Sequence, residues 1–316
     1  MIDKPGLYPD IPEADYHADP VAPAPSLSSS IAKVLVDQSP RHAWYQHPRL
    51  RPDFDRADKE PTRAMDKGSA AHAWLLQSGT MVRRISADDY RTNAAKAARD
   101  AARLAGEIPL LTDDYDAVEK MVAAGIEQIM DIPDLRPMLE AGRSEVTGVW
   151  QERDVWCRLR VDRLPESMFS EPFPTCFDLK TSGLSVHPDD FQRHMFDMGY
   201  DVSAAFYTRG IRKLLPHIRD LEFVFVAIEQ DPPYGLSAMK FGGQAFEEAA
   251  TKVDLAIETW RHCITTNRWP MYGAGISSID PPAWRSMAHE MRAMALRTRL
   301  DQWQRPHDSQ KKDQAA

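Results

Sequence analysis

Three runs of β-favouring residues, close together in the middle of the chain, restrict the possible fold most strongly. Residues 145–151 and 155–164 are two such runs joined by the polar Glu-Arg-Asp, a pattern typical of a β-hairpin. The third run, "TCFDLKTS", is mostly apolar but carries Asp178 and Lys180. Side chains alternate between the faces of a strand, so these two project from the same face, about 7 Å apart along the chain. The sequence therefore predicts a sheet that carries an acid and a lysine side by side on one face.

Helical patterns lie on both sides of these runs. Ser28 or Ser29 is a candidate N-cap for a first helix, and a further strand is predicted near 221–229. This order predicts an α/β fold with a central mixed β-sheet flanked by helices and a helical N-terminal part. The predicted boundaries are an extended N-terminal arm at 1–25, a single domain at 26–304 (helical part 26–140, catalytic sheet core 141–240, closing helices 241–304) and a disordered tail at 305–316.

Composition excludes several classes of protein. The chain has 316 residues, of which 43% are hydrophobic and 27% charged, as expected for a soluble globular protein. It has no apolar run near the length of a membrane helix and no signal-peptide pattern at its start, so we expect a cytoplasmic protein without a membrane partner. Three widely spaced cysteines without a C-x-x-C pattern argue against a zinc knuckle, an iron–sulfur cluster or a disulfide framework.

Net charge limits how the protein could bind nucleic acid. A formal charge of −8 argues against a protein that binds nucleic acid over its whole surface. The charge is compatible with a nuclease, in which acids cluster at the site and basic groups line a channel.

Two aspartates are candidates for a metal site. Asp162 lies near the end of the second hairpin strand, and Asp178 lies on the next strand. If the strands are adjacent, the two carboxylates converge, and they repel unless a cation lies between them. Mg²⁺ or Mn²⁺ prefers such oxygen ligands, and Lys180 could hold or deprotonate an attacking water. The alternative is that Asp178 and Lys180 form an ordinary surface ion pair.

His72 and Glu145 are weaker candidates. His72 lies in an apolar helical stretch beside the small residues Gly68, Ser69, Ala70 and Ala71, which would let the helix approach the sheet and place an imidazole at a metal. It could equally be a packed, hydrogen-bonded histidine. Glu145 opens the first hairpin strand, where it could be a solvated glutamate, a further ligand or a residue behind the ligands.

These residues, taken in order, resemble the PD-(D/E)XK nuclease superfamily, and more closely its prophage RecE / exonuclease VIII-like branch. The resemblance spans about residues 26–285. It is carried by six segments, "LSSSIAKVLVDQSPRHAWYQHP", "MDKGSAAHAWLL", "SEVTGVW", "CRLRVDRL", "FDLKTS" and "YDVSAAFYTRGI". They are similar to the family's L-S-x-S…S-P-x-H helix, its G-x-x-x-H helix, the position of a glutamate, and its C-R-x-R-x-D, D-L-K-T and Y-x-V-Q-A-A-F-Y segments.

The resemblance implies specific roles. The metal ligands would be His72, Asp162, Asp178 and the backbone carbonyl of Leu179, and the catalytic residues would be Lys180, Asp178, Asp162 and Glu145. One departure stands out, because Ser203 occupies the place of a glutamine that would reach DNA or an active-site water. Candidate DNA contacts are Tyr200, Ser203, Tyr207, Arg143, Arg158, Arg160, Arg163, Arg209, Arg212 and Lys213. Arg158 and Arg160 alternate along a strand and could instead pair with neighbouring acids.

The function implied by the resemblance is that of a Mg²⁺-dependent (or Mn²⁺-dependent) DNA exonuclease. It would degrade linear duplex ends in the 5′→3′ direction and leave a 3′ strand for a single-strand-annealing recombination protein. Relatives form rings around DNA, so a homo-oligomer is expected. Two alternatives stay open. One is a structure-specific or nicking endonuclease on the same scaffold, and the other is a catalytically degenerate DNA-binding protein.

Overall fold

The computed structural model describes residues 1–21, 23–51, 61–273 and 275–304. Contacts between α-carbons divide the chain into two compact units, Met1–Tyr272 and Gly273–Ala316. The tail predicted at 305–316 lies outside the described residues. In the part of the chain that the structure describes, no helix has the length and apolar character needed to span a bilayer.

A mixed sheet forms the centre of the first unit, as predicted. Its strands are β1 Gly6–Tyr8, β2 Leu27–Ser28, β5 Gly142–Glu152, β6 Val155–Pro165, β7 Thr175–Ser182, β8 Glu222–Glu229 and β9 Leu236–Met239, and β3 Val82–Ile85 and β4 Ile108–Leu111 form a separate two-stranded sheet. Across the described residues the strands follow the order β1-β5-β6-β7-β8-β9, and β2 pairs with β6. β7 and β8 run parallel, with Thr175 opposite Glu222 and Ser182 opposite Glu229.

Helices flank the central sheet. Their bounds are α1 Glu13–His17, α2 Ser29–Asp37, α3 Pro40–Gln46, α4 Arg63–Leu75, α5 Asn93–Leu104, α6 Thr112–Asp131, α7 Pro188–Asp197, α8 Tyr200–Leu214 and α9 Gly243–Thr266. Ser28 caps α2 by accepting a hydrogen bond from the Ile31 N–H. α7 and α8 are separate helices, because Gly199 between them takes a left-handed φ of 63°.

The two faces of the sheet build two hydrophobic cores. Phe225 and Cys176 belong to the core that also contains residues of α2, α8 and α9. Phe177 and Leu179 belong to the other core, with residues of α4 and α6. This division follows from the alternation of strand side chains, and Phe177 and Leu179 point away from the face of Asp178 and Lys180.

The N-terminal residues, predicted as an extended arm, carry regular structure. β1 pairs antiparallel with β5, and Leu7 lies opposite Gly148. Ile2 and Val21 are buried in a small cluster with Val149. β1 has three residues and α1 has five, which is too short for their periodicity to be recognised in the sequence. Pairing of β1 with β5 stabilises this segment.

The second unit contains one described helix, α10, at Ala283–Gln304. None of its residues is buried, and apolar side chains including Trp284, Met291 and Trp303 are exposed. The closing helices predicted at 241–304 thus fall into two units, with α9 in the first and α10 in the second.

Candidate metal centre

Strands β6 and β7 separate where Asp162 projects. Their one paired position is Arg163 opposite Phe177. Beyond it, the Asp162 side chain takes the place of a strand partner, and its Oδ2 accepts a hydrogen bond of 2.9 Å from the Leu179 N–H. The splayed strands therefore open a polar gap in the sheet and fix one carboxylate oxygen beside β7.

Glu145 lies opposite Asp162 on the neighbouring strand. The pairs Ser144–Arg163 and Val146–Val161 enclose this position, which itself lacks a regular pair. Glu145 has a left-handed φ of 56°, a conformation that L-residues rarely adopt. The local kink in β5 directs the Glu145 carboxylate towards the gap, and this kind of backbone strain is common at functional sites.

Helix α4 brings His72 to the same place. A Cβ on Gly68 would lie 2.8 Å from the Thr181 Oγ1, so the absent side chain lets the helix pack directly on β7. Ala70 and Ala71, next along the helix, are fully buried. The close approach leaves His72 Nδ1 3.7 Å from Asp162 Oδ2. The predicted role of the small residues is therefore seen in the packing.

His72, Glu145 and Asp162 form a group with the composition of a metal site. Each offers one ligand atom, and these atoms all lie within 4.8 Å of one another. One imidazole nitrogen and carboxylate oxygens suit a divalent ion such as Mn²⁺ or Mg²⁺. Glu145, considered from the sequence as a further ligand, belongs to this group among the described residues, whereas Asp178 does not.

Asp178 is instead paired with Lys180. Its carboxylate contacts the Lys180 ammonium, and the Lys180 Nζ is 3.5 Å from the Leu179 carbonyl oxygen. Asp178 is 5% exposed and Lys180 is half-buried, so this ion pair is largely enclosed and differs from the ordinary surface pair considered as an alternative. The Leu179 carbonyl thus borders the ion pair, on the strand that also donates its N–H to Asp162.

Burial and neighbouring charges shift the pKa values of the site. Burial, opposed by Lys180 and assisted by Asp162, raises the pKa of Asp178 to about 6. Burial acts to lower the pKa of Lys180, but the Asp178 and Asp162 carboxylates outweigh it and raise that pKa. Burial and the nearby Asp162 also raise the pKa of Glu145. A cation among these acids would lower the electrostatic cost of their negative charge.

Tyr200 lies between two ammonium groups. Its ring stacks on Phe225 with centroids 5.3 Å apart. The Lys180 Nζ lies 5.4 Å from the centre of the Tyr200 ring, and the Lys33 Nζ lies 5.5 Å from it. The aromatic ring therefore holds two cations on the face of the sheet that carries Asp178.

Lys33 is a residue of this region that sequence reasoning missed. Burial, followed by the repulsion of Lys180, lowers the pKa of Lys33 to about 8. Its methylenes lie close enough to Gly199 that a Cβ there would be 3.1 Å from the Lys33 Cδ. The available signal was a single lysine within the mostly apolar "IAKVLV" of α2.

Two other predicted DNA contacts on α8 are largely inside the protein. Tyr207 packs edge-to-face against Phe223, and burial raises its pKa well above the usual range. Ser203 is 8% exposed. Both side chains are therefore less accessible to DNA than the predicted contacts require.

The arginines of β6 have internal partners. Arg158 is 3% exposed, and its Nη1 donates to the Ser26 carbonyl at 2.7 Å and lies 3.3 Å from Asp19 Oδ1. Arg160 Nε donates to Glu145 Oε2 at 2.7 Å. Pairing with neighbouring acids, the alternative for both residues, is what the structure shows, and the phosphate contact predicted for Arg158 is wrong because its guanidinium is enclosed.

The remaining predicted cations are dispersed. Arg163 is buried and donates to the Ser144 Oγ at 2.7 Å. Arg143 is exposed and lies over the Phe169 ring at 4.4 Å. Arg209 pairs with Glu152 and Asp254, and it lines a cavity at α8 and α9 together with Arg212 and Lys213. The three α8 cations therefore share a surface that does not include His72, Glu145 or Asp162.

Comparison with known proteins agrees with the fold. Residues 35–280 match the family model described as a PDDEXK-like domain of unknown function, DUF3799. The crystal structure of a "Putative exonuclease" from Eubacterium rectale is similar, with a TM-score of 0.53 and 12% identity over 88% of this chain and 98% of that chain. A search of curated proteins finds no match.

Proposed function

Because the chain belongs to the DUF3799 family of PDDEXK-like domains, we propose that it is a divalent-metal-dependent nuclease acting on DNA. The observation that carries this proposal is the group formed by His72, Glu145 and Asp162, next to the Lys180–Asp178 ion pair. The match covers most of the chain, and the predicted superfamily is thereby confirmed. The E. rectale protein supports the same fold.

The donor set fits a divalent ion. His72 supplies a nitrogen, and Asp162 and Glu145 supply oxygens. Asp178 lies close enough for the negative charge of Asp162 to contribute to raising the pKa of Asp178. We propose these four residues, with the Leu179 carbonyl, as the residues that hold Mg²⁺ or Mn²⁺. When bound, such an ion would supply charge stabilisation at a scissile phosphate.

Lys180 is proposed to position the attacking water. Its raised pKa keeps the ammonium protonated near neutral pH, so it acts as a hydrogen-bond donor and not as a base. Asp178 holds the ammonium in place, and the Tyr200 ring confines it from the other side. Lys33, across the same ring, adds a second positive charge that favours an approaching phosphate.

The finer function follows from the resemblance to the RecE-like branch. We propose that the protein degrades linear double-stranded DNA 5′→3′ and leaves 3′ single strands for an annealing protein in phage-type recombination. The homo-oligomer, the annealing partner and the cytoplasmic location are part of the same proposal. Arg143 is exposed and stays a candidate phosphate contact.

Two DNA substrates test the finer proposal. Linear duplexes labelled separately at the 5′ and 3′ ends should lose the 5′ label first in Mg²⁺, whereas a covalently closed circle should stay intact. Linearisation or nicking of the circle would favour an endonuclease instead. Binding of duplex ends without cleavage in either metal would favour the degenerate DNA-binding protein.

A further inference from the structure

A cavity of about 500 Å³ opens beside helices α8 and α9. Apolar side chains make up much of its wall, among them Ala205, Ile218, Phe246 and Val253. Its size is in the range of pockets that enclose a small ligand or a large side chain. Among the described residues, none of the proposed metal ligands lines it, so the cavity is separate from the candidate metal centre.

Three cationic side chains of α8 line this cavity. Arg212 and Lys213 are exposed, and neither forms an ion pair with another residue in the described part of the chain. Arg209 differs, because Glu152 and Asp254 hold its guanidinium through hydrogen bonds of 2.9 Å from Nε and Nη2 respectively. The Arg209 charge is thereby largely neutralised. Two cations remain available to a ligand at the edge of an apolar space.

One wall residue has an unused hydrogen-bonding group. Thr208 lines the cavity and is 4% exposed, and its hydroxyl has no hydrogen-bond partner among the described residues. Buried hydroxyls usually have a partner, since leaving one unpaired is costly. This oxygen lies within the cavity wall, on the helix that also carries Arg212 and Lys213.

We propose that this cavity binds an acidic peptide segment of a partner protein, with one bulky apolar side chain inserted beside Phe246. Acidic residues of the segment would pair with Arg212 and Lys213, and the apolar side chain would fill the space lined by Ala205 and Val253. Phosphates of DNA could use the two cations but not the apolar wall. The proposal does not depend on the nuclease assignment.

Peptide binding tests the proposal. Two fluorescein-labelled nine-residue peptides, each with three aspartates, would differ only in a phenylalanine or an alanine next to the aspartates. The phenylalanine peptide should bind the full-length protein at least about tenfold more tightly by fluorescence anisotropy, the factor supported by burial of one large apolar side chain. The double variant Arg212→Glu/Lys213→Glu should lose this binding. The variant Lys120→Glu/Arg219→Glu, which reverses two other exposed cations, should retain it.

Three further arms separate the possible outcomes. Ala250→Phe, which fills the cavity from α9, should weaken peptide binding without a change in metal-induced stabilisation against heat. Equal binding of both peptides, or none of either, would overturn the proposal. If free 3-phenylpropionate bound and neither peptide did, the cavity would be a site for a small carboxylic acid and the peptide proposal would be overturned. A short DNA duplex could displace the peptide, and the alanine peptide could bind as tightly as the phenylalanine peptide. Together these two results would assign the two cations to DNA and would also overturn the proposal.

Discussion

Glu145 and Asp162 face each other across β5 and β6, and Glu145 is the residue at which β5 leaves regular strand geometry. The left-handed φ of 56° has a conformational cost, yet it brings the Glu145 carboxylate into the group with Asp162 and His72. We infer that the strain in β5 serves the metal centre.

Replacement of Glu145 by glycine should therefore separate stability from metal binding. Glu145→Gly should raise the free energy of unfolding by about 1 kcal/mol relative to Glu145→Gln, because glycine tolerates the positive φ. Both variants should bind Mn²⁺ more weakly than the parent protein in calorimetric titration. Gln77→Gly is the matched control, since Gln77 is exposed and has a φ of 52°. The Gln77→Gly variant should be more stable than the parent protein and should bind Mn²⁺ equally well. Weaker Mn²⁺ binding by this control variant would contradict the account.

The contact between α4 and β7 predicts an effect of a single methyl group. Gly68→Ala would place a Cβ 2.8 Å from the Thr181 Oγ1 and push the helix that carries His72 away from the sheet. We expect a loss of about 1–3 kcal/mol in stability and weaker Mn²⁺ binding. Adding Thr181→Ala should restore part of both, whereas Gly243→Ala, at an open position, should change neither. Unchanged Mn²⁺ binding in Gly68→Ala would show that the close approach does not position His72.

Titration of Asp178 should make the metal-free protein less stable as pH rises. The folded protein retains the Asp178 proton until about pH 6, whereas the ordinary pKa of 3.8 applies to the unfolded chain. Between these values the folded state binds more protons, so stability decreases with increasing pH. Urea unfolding should show that the parent protein loses about 2 kcal/mol relative to Asp178→Asn between pH 4 and pH 6.5. Parallel pH profiles of the two proteins would contradict the raised pKa.

Arg158 should prove structural and not a DNA contact. Arg158→Ala removes a buried partner of Asp19 and Ser26, and we expect a loss of about 3–5 kcal/mol in unfolding free energy. Arg143→Ala, at an exposed position of the same hairpin, should leave stability within about 0.5 kcal/mol. Normal stability of Arg158→Ala together with weaker duplex binding would restore the original prediction.

Local patterns were sufficient to predict the strands that build the site. Alternation and β-favouring residues located β5 to β8, and the same alternation placed Asp178 and Lys180 on one face. They could not decide among the three roles considered for Glu145, because its place beside His72 and Asp162 depends on a backbone conformation unusual for glutamate. Nor could they show that Arg158 would be enclosed, since its partner Ser26 is 132 residues away in the sequence.

Degradation of end-labelled linear duplex DNA by the parent protein and by Lys180→Ala tests the central claim most directly. The account predicts Mg²⁺-dependent cleavage that EDTA stops, a decrease of at least about 10³-fold in Lys180→Ala, and parental activity in Lys240→Ala, where the exposed lysine pairs with Glu222. Thermal unfolding of both variants would verify that they are folded. Full Mg²⁺-dependent activity in a folded Lys180→Ala protein would contradict the proposed site.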